Sequence, residues 1–344
     1  MNEISFDFIN LKNEKTKLEV EDFLNHFDLK YTKVDCTIVA RVKNKIIGVC
    51  SKLNNLIKNV AVADEYKGMN LLNSLLTLII KKINEQNFKN VFVITKFINK
   101  KIFLEMNFKL IYENENISFL TTDDSEFKKY KLYIESFNLK GTIGVIIMNA
   151  NPMTKGHLSL IETASLQNDH VIIIPVKEEG SLFTYKERVN IIQKNIVQFN
   201  NVILIEGTEF LVSKNFFPSY FIKSDEQTII EQCKLDVNIF CSLFSKFLNQ
   251  VTRYVGEEPY SQTTKNYNEV IKEILNQKDI GIKIIKRSEF NGQAISASKV
   301  RELIYKQDFE SLKNYVTKLT YEFITSKEII IRAKENPDMV FKKH

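Results

Sequence analysis

Residues 149–157 read N-A-N-P-M-T-K-G-H and directly follow the apolar run Thr142–Met148. Pro152 stops that run from continuing as a strand and sets a turn. Gly156 lets backbone come close to a ligand. Thr154 and His157 then stand at the mouth of the helix expected over Leu158–Leu166. A helix start offers free N–H groups and the positive end of the helix dipole, which suits phosphate. A histidine placed there can donate to a phosphate oxygen as charge builds on it. Of the four histidines, His26 and His170 read as structural and His344 as a solvated terminus, leaving His157 for chemistry.

A second segment, N-G-Q-A-I-S-A-S-K-V-R over 291–301, follows another apolar run, Ile282–Ile285. Ser296 is a good N-cap for a helix over Ala297–Tyr305. Ser298, Lys299 and Arg301 crowd its first turns. Two cations at a helix start oppose the dipole, so they make sense if an anion binds there. On that reading Arg301→Ala weakens ATP use and leaves folding intact.

These loops need elements to hold them. From Gly141 onward, apolar runs alternate with amphipathic stretches: strands at Thr142–Met148, Val171–Val176, Val202–Ile205, Arg253–Val255 and Ile282–Ile285, with helices at Leu158–Leu166, Tyr185–Val197, Thr228–Leu248, Lys265–Leu275 and Ala297–Tyr305. Such alternation implies a parallel sheet covered on both faces, with ligands at the carboxyl ends of its strands. Residues 1–138 differ, with strand-like runs at Thr37–Val42, Lys45–Cys50, Asn59–Ala63 and Val91–Thr95. A helix pattern there carries Leu71, Leu72, Leu75, Leu76 and Ile79. The expected division is 1–138 and 139–344, the second part ending in helices. A polar stretch, Thr121–Lys129, reads as the approach to the boundary.

The bulk numbers agree. A chain of 344 residues, 44% hydrophobic and 26% charged, is long enough for two cores. No run nears the roughly 20 apolar residues of a membrane span. The start, Met1-Asn2-Glu3-Ile4, shows no secretion signal. Cys36, Cys50, Cys233 and Cys241 have no metal-type spacing and read as reduced thiols of a cytoplasmic protein. The net charge of +6 fits an anionic ligand or acidic partner without demanding nucleic acid.

Thr154-Lys155-Gly156-His157 and Ile295-Ser296-Ala297-Ser298-Lys299-Val300-Arg301 together resemble the H/T-x-G-H and I-S-S/T-T-x-x-R signatures of the nucleotidyltransferase superfamily. The likeness covers about 141–320. It implies that Thr154 and His157 contact the ATP phosphates, and that Ser296, Ser298 and Arg301 close on the triphosphate. Asn149, Asn151, Gly156 and Lys299 join them as nucleotide contacts. The segments F-T-Y-K-E-R (183–188), F-F-P-S-Y-F-I-K (216–223), L-D-V-N-I-F (235–240) and R-Y-V-G-E-E-P-Y (253–260) are similar to the citrate lyase ligase family. Residues 1–138 resemble its GNAT acetyltransferase-like α+β domain, ahead of a Rossmann-like α/β nucleotidyltransferase domain.

That resemblance implies an acid–thiol ligase. Acetate and ATP would give acetyl-adenylate and pyrophosphate. The acetyl group would then pass to the prosthetic-group thiol on the acyl-carrier subunit of citrate lyase, releasing AMP. ATP and Mg²⁺ are the implied cofactors, the metal held mostly by nucleotide and water; acetate and the carrier are the partners, without nucleic acid or membrane. Arg188 reaches a phosphate or the acid's carboxylate, or is a surface base. Gly256 and Glu257, with Glu258, take the ribose or metal, or form a solvated loop. Phe216, Phe217, Pro218 and Tyr220 wall an acyl pocket, or pack a core. In the first domain, E-Y-K-G-M-N-L-L keeps Gly68 but puts Lys67, Asn70 and Leu72 where the acetyltransferase pyrophosphate loop follows R/Q-x-x-G-x-G/A. Acetyl-CoA binding, a scaffold, a docking surface and a site for the carrier's CoA-like arm are the readings open for it. The competing functions are a pantetheine-phosphate or nicotinamide-mononucleotide adenylyltransferase, a tRNA-synthetase relative without its K-M-S-K-S loop, and an acetyltransferase with a degenerate appendage.

Overall fold

The computed structural model describes residues 3–177, 180–211, 217, 221–222, 224–257 and 262–341. They form two compact units, one from the described residues of Met1–Lys129 and Asn215–Leu235, the other from those of Tyr130–Lys214 and Asp236–His344. The first is α+β with a mixed sheet and the second α/β with a parallel sheet.

The first unit runs β1 (Ser5–Phe8), α1 (Glu14–Asn25), β2 (Cys36–Val42), β3 (Lys45–Leu53), β4 (Leu56–Val62), α2 (Leu71–Asn84), β5 (Phe92–Lys96), α3 (Lys100–Glu105), β6 (Lys109–Glu113) and β7 (Ile117–Thr121). Its seven-stranded sheet has the order β1-β2-β3-β4-β5-β7-β6. Leu71, Leu75, Leu76, Ile79 and Ile83 form the buried stripe of α2, as their helical spacing requires. Asn59 makes the sheet open. It sits inside β4 at φ 50°, and Val49 pairs with Ala61 while Ser51 pairs with Lys58. Asn59 and Val60 thus oppose Cys50 alone, a bulge that bends β4. β4 and β5 pair only at Leu56↔Phe92 and Ile57↔Val93. Beyond that point they part around a cavity of about 610 Å³, lined by Val60, Val62, Ile94, Lys96, Leu72 and Phe221 among others.

The polar stretch before the boundary is partly helical. It starts helix α4 (Ser125–Ser136), and Asp123 Oδ1 accepts from Ser125 N–H at 2.9 Å, taking up a free N–H at the helix start.

The second unit contains β8 (Ile143–Met148), α5 (Lys155–Gln167), β9 (His170–Pro175), α6 (Tyr185–Ile196), β10 (Val202–Leu204), the end of α7 (Asp225–Leu243), β11 (Val251–Gly256), α8 (Gln262–Asn276) and β12 (Gly281–Ile285). The hairpin β13 (Glu289–Phe290) and β14 (Gln293–Ala294) leads to α9 (Ala297–Lys306), and α10 (Phe309–Tyr315), α11 (Lys318–Ile324), α12 (Lys327–Glu335) and α13 (Pro337–Phe341) follow. The sheet order is β10-β9-β8-β11-β12, with every pair parallel. Buried from both sides, β8 and β9 are nearly unbroken apolar runs. The order reverses beside β8, where β9 lies on one side and β11 on the other. That is the switch point where open parallel sheets leave a crevice.

Candidate active site

The loop after β8 is held from beneath. Ala150 sits at φ 46°, a left-handed conformation that costs an alanine roughly 1–2 kcal/mol. Two arginines brace it. Arg188 donates from Nη1 to the Asn149 carbonyl at 2.9 Å and the Val176 carbonyl at 3.0 Å. Arg301 donates from Nη1 to the Asn151 carbonyl at 2.8 Å and from Nε to the Val340 carbonyl at 3.0 Å. Both side chains are fully buried, and burial lowers the Arg301 pKa to about 10. Full burial rules out a surface base at 188. The structure turns both guanidiniums toward main-chain carbonyls of the loop.

Thr154 and His157 close the loop into α5. The Thr154 hydroxyl accepts from His157 N–H at 3.4 Å, and His157 Nδ1 accepts from Thr154 N–H at 3.0 Å. This reciprocal cap fixes the ring. With Nδ1 accepting, the neutral ring carries its proton on Nε2. Burial first, then the charge of Arg287, lowers the His157 pKa to about 4. His157 is therefore a neutral donor at physiological pH. Its folded pKa lies below the unfolded value, so stability falls as pH drops from about 6.5 toward 4. The expected slope from this group is at most about 1.4 kcal/mol per pH unit, less where solvent screens it. Urea midpoints at pH 7, 5.5 and 4.5 should fall less steeply in His157→Gln; equal slopes would show that the ring does not titrate in this window.

The second loop meets the first. A methyl on Gly156 would lie 3.4 Å from the Ile295 carbonyl, so the two loops lie against each other at this residue. Ser296 caps α9, its hydroxyl accepting from Lys299 N–H at 3.2 Å. Ser298 is exposed, and its Oγ accepts from Arg301 Nη2 at 3.3 Å. Lys299 pairs with Glu302 at 3.2 Å. The two cations expected to wait for an anion thus have protein partners, a carboxylate for Lys299 and carbonyls for Arg301.

Register places Gly256 nearby. Tyr254 pairs with Ile146, which puts Gly256 level with Met148 at the carboxyl edge. A methyl on Gly256 would meet nothing within 4 Å. Glu257 is exposed, and its N–H donates to the Ile285 carbonyl at 2.8 Å. Phe217 is buried; Phe216, Pro218, Tyr220 and Glu258 lie outside the described residues. His170 begins β9, at the sheet edge away from these loops, and His26 is exposed.

Arg287 was missed by motif reading. It lies just beyond β12, close enough for its charge to act on His157, and the neighbouring Ser288 carbonyl accepts from Ile295 N–H at 2.9 Å. Applying the carboxyl-end rule to β12 as well as to β8 would have found it. Among the described residues no group of three His, Cys, Asp or Glu could hold a metal ion. No helix among them is long and apolar enough to cross a membrane.

The arrangement offers helix N–H groups, a neutral imidazole donor and hydroxyls around one crevice. It suits binding of polyphosphate and charge stabilisation during displacement at phosphorus.

The family model for the citrate lyase ligase C-terminal domain matches residues 143–324. A [citrate [pro-3S]-lyase] ligase of Escherichia coli (strain K12) is 30% identical over 329 residues, 93% of each chain. The ligase of Klebsiella pneumoniae is 30% identical over 324 residues, 91% of this chain and 94% of its own. A phosphopantetheine adenylyltransferase of Clostridium perfringens (strain ATCC 13124) is 26% identical over 184 residues, 52% of this chain and 98% of its own. Among solved structures, Escherichia coli ElaA aligns with 35% of this chain and 100% of its own at 11% identity and TM-score 0.29. Thermotoga maritima TmcAL bound with alpha-thio ATP aligns with 58% of this chain and 57% of its own at 12% identity and TM-score 0.36.

Proposed function

Because the chain belongs to the citrate lyase ligase family, we propose that it activates acetate with ATP and acetylates the acyl-carrier subunit of citrate lyase in the cytoplasm. An acetate oxygen attacks the α-phosphorus, the bond to the β-phosphate oxygen breaks, and pyrophosphate leaves with the electron pair. The prosthetic-group thiolate then attacks the acetyl carbonyl and AMP departs. The observation that carries this reading is the Thr154–His157 cap at the carboxyl end of β8, joined to family likeness along nearly the whole chain.

The geometry supports a division of labour. The first-turn N–H groups of α5 and His157 Nε2–H meet phosphate oxygens. Ser296, Ser298 and Lys299 close from the α9 side, and Arg287 adds charge. Arg188 and Arg301 keep the loop in shape. Asn149, Gly156, Gly256 and Glu257 line the nucleotide. No protein nucleophile is needed, since positioning and charge stabilisation suffice. Mg²⁺ would be held mostly by the nucleotide and water, and no step here depends on it.

We assign residues 1–138 to partner recognition and 139–344 to chemistry. The cavity between β4 and β5 suits the carrier's CoA-like arm. The facing edges of Val60–Val62 and Ile94–Lys96 are not paired to each other, so their main-chain groups can meet amides of an extended arm. Filling the cavity with Leu72→Trp should raise the KM for carrier about tenfold, the scale of one lost contact, with acetate-dependent pyrophosphate release in the same preparation normalising for folded enzyme. An unchanged KM would remove the arm from this cavity.

The whole reading is tested by pyrophosphate release from ATP with acetate, phosphopantetheine or nicotinamide mononucleotide. Acetate-dependent release followed by carrier acetylation is expected. Release with phosphopantetheine or the mononucleotide, and none with acetate, would make the protein a plain adenylyltransferase.

A further inference from the structure

Asn151 has all but one of its side-chain and carbonyl groups engaged. Arg301 takes its carbonyl at 2.8 Å, and its Oδ1 accepts from Phe183 N–H at 3.3 Å. A planar carboxamide anchored through its oxygen cannot flip without losing that bond. Its Nδ2 is therefore fixed, sealed from water and without a hydrogen-bond partner, on a side chain only 3% exposed. Ser181, two residues before Phe183, is also buried, and its Oγ is likewise sealed and unpartnered. Native proteins keep few such groups, and each calls for a reason. Asn151 is one end of the bond that ties the 180–184 segment to the loop after β8, and Ser181 lies two residues before its other end, Phe183.

We propose that Asn151 Nδ2 and Ser181 Oγ donate to the carboxylate of the small acid that attacks ATP. This rests on the function proposed above. The phosphates already have a helix start and His157. A carboxylate nucleophile has a different need: it must be oriented without losing its charge. Two uncharged donors do this, whereas a lysine or arginine would hold the ground state more tightly and make the oxygen a poorer attacker. The Asn151 donor is fixed in direction by its bond to Phe183 N–H, the Ser181 hydroxyl can rotate to match it, and the acid reaches both by parting the packing that seals them.

Asn151→Asp is the decisive variant, because a carboxylate keeps an acceptor for Phe183 N–H while replacing the donor with a like charge. Measured by acetate-dependent pyrophosphate release, its KM for acetate should rise about 10–100-fold, with the KM for ATP within about threefold. Ser181→Ala should raise the acetate KM about threefold or more and leave the melting temperature unchanged or higher, since a buried unsatisfied hydroxyl is removed. It also decides the matter if Asn151→Asp does not fold. An unchanged acetate KM in the folded variants would overturn the assignment, as would a rise confined to the KM for ATP. Failure of the proposed function is distinguishable, because it would show in the wild-type protein as no acetate-dependent release.

Discussion

His157→Ala is expected to slow acetate-dependent pyrophosphate release by about two to three orders of magnitude, as for loss of one donor to a developing oxyanion. The ring's two nitrogens have separate duties. Nδ1 accepts from Thr154 N–H at 3.0 Å, and Nε2–H is the donor proposed for phosphate. Alanine removes both, so part of any loss could come from the cap, worth about 1 kcal/mol. His157→Gln separates them. Glutamine at this helix position can accept from the Thr154 N–H through its own side chain, but it does not reproduce an imidazole donor. The glutamine variant should therefore melt near the wild type and remain slow. Single-turnover rates at saturating ATP and acetate, compared with melting temperatures, read the two effects apart. A glutamine variant within about threefold of wild type would reduce His157 to a capping residue. Because the ring is already neutral well above pH 4, the wild-type rate should show no limb near 6.5 from this group.

Much of this site was legible from sequence because it depends on local chemistry. Pro152, Gly156 and Ser296 mark strand ends and helix starts by their own backbone and side-chain properties, and the loops fall where those properties put them. The parallel sheet followed from the alternation of apolar runs with amphipathic stretches. What was not legible is where long side chains go. Lys299 and Arg301 are two residues apart, about 200° around a helix. One therefore faces out to Glu302 while the other turns in beside Val300, Leu303 and Ile304. Treating them as one cationic cluster ignored that angle. The opening of β4 from β5 was also hidden. It depends on Asn59 in a left-handed conformation, whereas alternation alone suggested a strand beginning at that residue. Finally, residues far along the chain join the first unit: Glu231 is buried there, accepting from Asn114 Nδ2 at 2.6 Å and Asn116 Nδ2 at 2.7 Å. No local pattern announces a pairing across more than a hundred residues.

Burial also reverses the order of effects expected at Arg301. Sequence reasoning has Arg301→Ala weakening ATP use in a normally folded protein. The structure gives the guanidinium no exposure and bonds to Asn151, Val340 and Ser298 at 2.8, 3.0 and 3.3 Å. Alanine would leave two buried carbonyls without these donors and open a cavity beside α9. Each lost bond to a charged donor is worth about 1.5–3 kcal/mol, offset in part because a buried cation no longer has to be desolvated. A net loss of about 3 kcal/mol is expected, which lowers the melting temperature of a unit this size by roughly 6–12 °C. Arg301→Lys should recover little of it, because an ammonium cannot span carbonyls reached by separate arms of a planar fork. Activity should also fall at temperatures where the variant is fully folded, because the Asn151 carbonyl is released and the left-handed turn at Ala150 loses one of its two braces. Thermal denaturation together with ATP and acetate kinetics at low temperature tests this. A variant that melts like the wild type and differs only in its KM for ATP would restore Arg301 as a direct phosphate contact.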